Sequence, residues 1–224
     1  MNSQIPLSNV KALPITLEQP QNKILRLRRA VKRSIDISGS LLGAILIAPV
    51  LIPVAVLIKT TSKGPIFYTQ ERVGEGGQLF KMYKFRSMYL DADKQKALLQ
   101  KDSEQDGPAF KMKNDPRITP IGRFIRKHSI DELPQLLNVF RGDMSIVGPR
   151  PALMNEVKEW KPHYFKRLSV PQGLTCIWQA NCRNNTTFDT WMNLDIQYAE
   201  KPSIRMDVKL IFKTVGVVIK GTGS

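Results

Sequence analysis

The stretch Ile37-Ser38-Gly39-Ser40-Leu41-Leu42-Gly43-Ala44-Ile45-Leu46-Ile47-Ala48-Pro49-Val50-Leu51-Ile52-Pro53-Val54-Ala55-Val56-Leu57-Ile58 carries no charged residue from end to end. A run this long and this apolar meets the criterion for a membrane helix. It begins too deep in the chain, runs too long and ends at Ile58-Lys59 without a small-residue cleavage pattern, so it does not read as a secretory signal. Pro49 and Pro53 each remove a backbone donor and crowd the preceding turn, which predicts a bend near the middle. Arg26, Arg28, Arg29, Lys32 and Arg33 precede the run, and Lys59, Lys63, Arg72, Lys81, Lys84 and Arg86 follow it. Basic flanks stay on the cytoplasmic side, and here both flanks are basic. A bent hairpin that enters and leaves one leaflet meets both facts. A straight span has to translocate one basic flank, and a buried core helix of a soluble protein is the third reading.

Outward from that run, the composition narrows the field. The chain has 224 residues, 42% of them hydrophobic, which fits one or at most two domains and excludes a disordered basic tail. Two cysteines exclude a disulfide-built secreted domain. Cys176 and Cys182 have no partner cluster, and with His128 and His163 as the only histidines no zinc site is expected. The net charge of +15 calls for an anionic partner: nucleic acid, an anionic membrane face, or phosphorylated substrates. Residues 1–25 are polar and proline-dotted and read as a loose tail, 26–58 as basic collar plus membrane helix, and 59–224 as a cytosolic globular domain. The five collar cations are expected to meet anionic headgroups.

Within 59–224, Gly64 to Gln70 predicts a turn and a short strand, and Gln78 to Met88 a second strand after the turn at Gly74-Glu75-Gly76-Gly77. Helical spacing marks Leu90–Lys101, Ile121–Lys127, Leu133–Phe140 and Val208–Ile219. The fold class is therefore α+β with helix dominant, joined to one proline-broken membrane helix.

The chemistry concentrates in residues 114–138. Ser129-Ile130-Asp131-Glu132 has the spacing of a capping box opening a short helix. It is also a pair of adjacent carboxylates in a field of Arg117, Arg123, Arg126 and Lys127, where a phosphate is attracted. One carboxylate could hold Mg²⁺ while the other attacks phosphorus, since Asp and Glu are hard oxygen ligands and competent nucleophiles. The residues alone leave both readings open. Lys84-Phe85-Arg86 puts two cations on one face of a strand. In Gly148-Pro149-Arg150-Pro151 two prolines stiffen the backbone around a guanidinium, which suits a phosphate fork or a plain exposed turn. No Walker loop, G-x-G-x-x-G or G-x-S-x-G is present, and an apolar run weighs against a nucleic-acid binder.

Taken in order, these segments resemble the bacterial sugar transferase family, the monotopic polyprenyl-phosphate hexose-1-phosphate transferases, over about residues 26–220. The resemblance rests on the basic and apolar N-terminal segment, Gly64-Pro65-Ile66-Phe67 with Gln70-Glu71-Arg72-Val73-Gly74, Lys84-Phe85-Arg86-Ser87-Met88, and Asp115-Pro116-Arg117. It continues through Ser129-Ile130-Asp131-Glu132-Leu133-Pro134-Gln135, Gly142 to Pro151, Gly173-Leu174-Thr175, and Leu194-Asp195 leading to Asp207. It implies a ping-pong enzyme that takes a sugar-1-phosphate from a UDP-sugar, with Asp131 as nucleophile, and passes it to polyprenyl (undecaprenyl) phosphate. Glu132 is implied as the principal Mg²⁺ ligand with Asp131 beside it, and Lys84, Arg126, Arg150, Arg183 and Asp207 as substrate-side residues. The resemblance also implies a place at the bacterial inner membrane among inner-leaflet lipids, a catalytic domain facing the cytoplasm, and a role in starting exopolysaccharide, capsule or O-antigen. It admits a homodimer and leaves nucleic acid without a role. An inactive membrane-anchored assembly protein of the same fold is the alternative. The chain departs from the family pattern at Ala48, where a serine usually precedes Pro49, and at Gln172, Cys176 and Cys182; it also reads as a compact form without extra N-terminal membrane helices. Glucose, galactose and N-acetylated hexoses all remain open as the sugar.

Overall fold

A computed structural model of the chain describes residues 23–99, 101, 103–104, 106–110, 112–181 and 187–220. Its longest element is α1, Lys23–Thr61, a helix of 39 residues that runs through Pro49 and Pro53. Of the apolar run only Ser40, Val54 and Ile58 are buried, whereas Leu42, Ile45, Leu46 and Ile52 are all more than half exposed. A core helix of a soluble protein buries such a face, so that reading falls, and α1 is a candidate membrane anchor by length, apolarity and exposure. The loose tail expected over 1–25 falls mostly outside the described residues, and the helix already begins at Lys23.

The hairpin follows: β1, Phe67–Val73, pairs antiparallel with β2, Leu79–Phe85, in the register Phe67–Phe85 to Val73–Leu79. Then come α2, Ala92–Leu99, and α3, Pro120–Lys127. Pro120 occupies the first turn of α3, and Thr119 caps it by accepting from the Gly122 amide at 2.9 Å. Only glycine fits at 122, because a Cβ there would stand 1.9 Å from the Ser87 carbonyl oxygen. The helix expected over Leu133–Phe140 is divided into a 3₁₀ segment, Ile130–Gln135, and α4, Leu136–Arg141. Pro134 cannot donate to the preceding turn, so the chain tightens before α4 takes over.

β3, Ser145–Val147, pairs in parallel with β4, Gly173–Thr175, after the short helix α5, Met154–Val157, and a 3₁₀ segment, Pro162–Ser169. Three helices finish the described chain: α6, Ile177–Asn181, α7, Phe188–Glu200, and α8, Ile204–Lys220. The result is helix-dominant with two two-stranded sheets.

The C-terminal half of α1 is built into the domain. Val54 and Ile58 form one apolar cluster with Phe85 of β2 and Ile125 of α3, and Ile130 packs against it. Arg86 closes the C-terminal end of α1 by donating to the carbonyls of Lys63 (2.5 Å) and Ser62 (2.8 Å), where a helix leaves orphan acceptors. The N-terminal half is tied by charge. Lys32 donates to Asp207 (3.1 Å) and to the Val147 carbonyl (2.9 Å), Asp36 accepts from Ser145 and the Ile146 amide (both 2.9 Å), and Arg33 caps α4 through the carbonyls of Val139 and Phe140 (both 2.6 Å). Lys32, Arg33 and Arg29, the last standing 3.7 Å from Glu75, are thus collar cations engaged by the domain.

Candidate active site

The hairpin, the 3₁₀ segment and α3 wall one side of an open cleft of about 890 Å³. Lys84, Arg126, Asp131, Glu132 and Arg150 all line it. Three of these side chains sit next in sequence to members of the apolar cluster under α1: Lys84 beside Phe85, Arg126 beside Ile125, and Asp131 beside Ile130. The same packing that seats the anchor therefore sets the polar wall above it.

The 3₁₀ segment is entered through Ser129, whose φ of 54° is the one left-handed backbone angle at a non-glycine residue among those described. Ser129 does not cap with its side chain, so of the two readings left open for this stretch the capping box is not formed. The left-handed turn instead redirects the chain as α3 ends, and it leaves Asp131 buried and Glu132 half-buried at the cleft. Such an angle costs on the order of 1 kcal/mol in a non-glycine residue and persists only where packing over-determines it.

Asn138, fully buried on α4, holds this segment against the hairpin. Its side chain accepts from the Tyr83 amide (3.0 Å) and donates to the Lys81 carbonyl (2.7 Å) and to Asp143 (3.0 Å). Lys84, one position beyond Tyr83, then meets Glu132: its Nζ donates to Oε1 at 2.8 Å, and Arg150 stands 3.7 Å from the same oxygen. Burial pushes the Lys84 ammonium below its ordinary range, against the pull of Glu132 and Asp131. Burial also pushes Asp131 up to about 6; the Lys84 cation opposes that rise and the Glu132 charge adds to it. Among the described residues Asp131 forms no ion pair within 4 Å, so its carboxylate stays available to something entering the cleft.

The Gly148–Pro151 turn is held along its whole backbone. The carbonyls of Pro149, Arg150 and Pro151 accept from the Gly173 amide (2.8 Å), Arg167 (2.7 Å) and Arg72 (3.1 Å) in turn. Arg150 is therefore a preorganised guanidinium rather than a mobile surface group. Arg72, buried beside it, has its guanidinium lowered to about 10, first by burial and then by the Arg150 charge.

Other expected residues go elsewhere. Asp207 does not line this cleft; it is buried, accepting from Lys32 and from the Tyr198 hydroxyl (2.8 Å), and serves the attachment of α1. Arg86 reaches the cleft wall but spends its guanidinium on the end of α1. Arg117 is a closed structural clamp, doubly bonded to Asp115 (2.6 and 2.9 Å) and lying 4.7 Å over the Phe110 ring. Arg183 and Cys182 fall outside the described residues. Asn138 and Arg167 were not singled out from the sequence, because a buried polar side chain that pins a strand or a turn is defined by long-range partners.

The two carboxylates fit a hard divalent cation. Among the described residues no three His, Cys, Asp or Glu side chains cluster to hold a metal. An ion at Asp131 and Glu132 would complete its shell with phosphate oxygens and water, the arrangement Mg²⁺ favours.

An anchor helix, a buried aspartate beside a glutamate and three converging cations define the class. The chain belongs to the bacterial sugar transferase family, whose model matches residues 27–221. It is 45% identical over 194 residues to the galactosyl transferase CpsE of Streptococcus agalactiae, covering 86% of this chain and 43% of that protein. It is 40% identical over 218 residues to the undecaprenyl-phosphate galactose phosphotransferase of Salmonella typhimurium, covering 94% and 45%. It is 38% identical over 200 residues to the exopolysaccharide production protein ExoY of Sinorhizobium fredii, covering 86% and 87%. The chain thus spans less than half the length of the first two relatives and most of the third.

Proposed function

We propose that this chain transfers a sugar-1-phosphate from a UDP-sugar to polyprenyl phosphate, releasing UMP, and so starts assembly of a cell-surface polysaccharide. The observation that carries the reading is the buried Asp131, free of any close ion pair among the described residues, at a cleft where Lys84, Arg126 and Arg150 converge. The names of the relatives support it.

The donor's two phosphates enter the cationic wall, where charge neutralisation and positioning supply most of the catalysis. An Asp131 carboxylate oxygen attacks the sugar-bearing phosphorus. The bond from that phosphorus to the bridging oxygen breaks, and UMP leaves with the electron pair. The chain then holds an aspartyl phosphosugar. A phosphate oxygen of the polyprenyl phosphate attacks the same phosphorus, the phosphorus–Asp131 bond breaks, and the carboxylate returns as polyprenyl diphosphate sugar departs. Arg150 and Lys84 hold phosphate oxygens, and Arg126 adds positive charge beside the nucleophile. Asp131 and Glu132 would hold Mg²⁺, which supplies further neutralisation of the diphosphate when bound.

Burial is what makes Asp131 a usable nucleophile. A desolvated carboxylate is more basic than one in water, and Lys84 and Arg126 beside it offset the negative charge that an entering phosphate brings. A membrane-borne acceptor gives the anchor its use: α1, inserted in re-entrant fashion with Pro49 and Pro53 as the points where it can flex, would hold the cleft at headgroup depth on the cytoplasmic face of the inner membrane. The net-basic N-terminal collar draws this end of the chain toward anionic lipid headgroups.

The test is UMP release by the full chain in detergent or nanodiscs from a panel of UDP-sugars with Mg²⁺ and polyprenyl phosphate. Asp131→Asn is expected to lower the rate at least about a thousandfold while leaving the fold intact. Full activity in that variant would remove Asp131 from the mechanism.

A further inference from the structure

The cleft that Asp131 lines also has an aromatic part, and nothing in the phosphate chemistry uses it. Trp178 on α6 and Trp191 on α7 both line the cleft, with ring centroids 4.6 Å apart and planes at 47°. α6 packs mainly on α7 and α8, and α7 on the Pro162–Ser169 segment, so the two indoles come from elements other than the hairpin, α3 and the Ile130–Gln135 segment.

The two rings are held differently. Trp191 is pinned: its Nε1 donates to Asp195 at 3.1 Å, and Phe188 packs edge-on at 5.6 Å. Asp195 is itself locked to Arg167 at 2.5 Å, and Arg167 donates to the Arg150 carbonyl at 2.7 Å. A chain of three buried or part-buried contacts therefore joins Trp191 to the arginine of the phosphate wall. Trp178 has no such pin. Its Nε1 is buried and has no hydrogen-bond partner among the described residues, so no hydrogen bond there fixes the ring. Gln179, the next residue, lines both this cleft and a small pocket shared with Glu132 and Arg150, so α6 reaches the phosphate end through Gln179 and the aromatic wall through Trp178.

We propose that Trp178 and Trp191 form the platform for the uracil ring of the donor nucleotide, with Trp191 as the fixed face and Trp178 as the adjustable one. This rests on the reading of the donor as a UDP-sugar. In that donor the sugar is bonded to the phosphate that Asp131 attacks, so it lies beside Asp131. The base is separated from that phosphorus by a second phosphate and a ribose, and the aromatic part of the same cleft is where it belongs. A planar ring with carbonyl acceptors matches two indole faces and an indole N–H in want of an acceptor. The link through Asp195, Arg167 and Arg150 makes seating of the base and placement of the diphosphate a single geometric event.

The chain has three tryptophans, and Trp160 is buried in the core against Phe165 and Arg167 away from the cleft lining, so a change in intrinsic fluorescence on ligand binding reports on the other two. With the full chain in detergent, UMP is expected to quench this fluorescence and galactose-1-phosphate is not. Trp178→Ala and Trp191→Ala are expected to raise KM for the UDP-sugar about tenfold to a hundredfold with a much smaller change in kcat. Trp178→Phe, which keeps a stacking face, is expected to recover most of the loss. Quenching by galactose-1-phosphate but not by UMP overturns the proposal, as does an unchanged KM in both alanine variants. Should an alanine variant fail to fold, the wild-type comparison of the two ligands decides alone. Wild-type chain that releases no UMP from any UDP-sugar defeats the functional reading itself; UMP release with an unmoved KM defeats only the platform.

Discussion

Asp131 and Asp195 are both buried carboxylates, and burial pushes each up to about 6. Their surroundings differ. Asp195 is closed: Arg167 meets it at 2.5 Å, Trp191 at 3.1 Å, and both members of the ion pair are sealed from solvent. Asp131 faces an open cleft, and the cation nearest in role, Lys84, is taken by Glu132 at 2.8 Å. One buried acid is spent on an ion pair, and the other is left facing the cleft. Desolvation alone does not mark a functional carboxylate; what marks it is desolvation without a dedicated partner.

The largest effect that would sharpen this contrast is on Asp195. Asp195→Ala leaves the Arg167 guanidinium buried and uncompensated, and should lower stability by about 3–5 kcal/mol in denaturant unfolding of the solubilised chain. A loss below about 1 kcal/mol would make the pair dispensable and break the comparison. The second effect has the opposite sign. Asp131 has a folded-state value raised above its unfolded one, so its charge costs stability above about pH 6, and the cost fades as pH falls through that value. Asp131→Asn should therefore raise stability by on the order of 1 kcal/mol at pH 7.5, and by little at pH 4.5. Thermal midpoints of the two proteins at both pH values check this, and a destabilised variant at pH 7.5 would place Asp131 among the structural acids. The smallest effect is the control: Lys94 and Asp91 form a surface pair at 3.3 Å, and Lys94→Ala should leave the unfolding midpoint unmoved.

The anchor shows the same division at the level of cations. Lys32 and Arg33 sit in the basic cluster beside Arg26, Arg28 and Arg29 and look like them in sequence. Yet Lys32 is buried against Asp207, and Arg33 is turned onto the carbonyls at the end of α4. Likewise Arg86 alternates with Lys84, but the strand ends at Phe85, so the pair no longer shares one role: Lys84 faces the carboxylates and Arg86 closes α1. Charge was legible in the sequence; its destination was not, because carbonyl acceptors come from residues far away in the chain.

Sequence alone determined the local matters. Apolar length marked α1, glycine turns and alternation marked the hairpin, and the adjacent carboxylates in a basic field marked Asp131 and Glu132, since each depends on residues within a few positions of one another. Only the tertiary structure decided that Ser129 turns left-handed instead of capping, that Asn138 pins α4 to β2, that Asp207 pairs with Lys32 of α1, and that two tryptophans line the same cleft as Asp131. The physical reason is common to all four. Each is a matter of which buried polar or aromatic group finds its partner, and that choice is made when distant elements close around it and water is excluded.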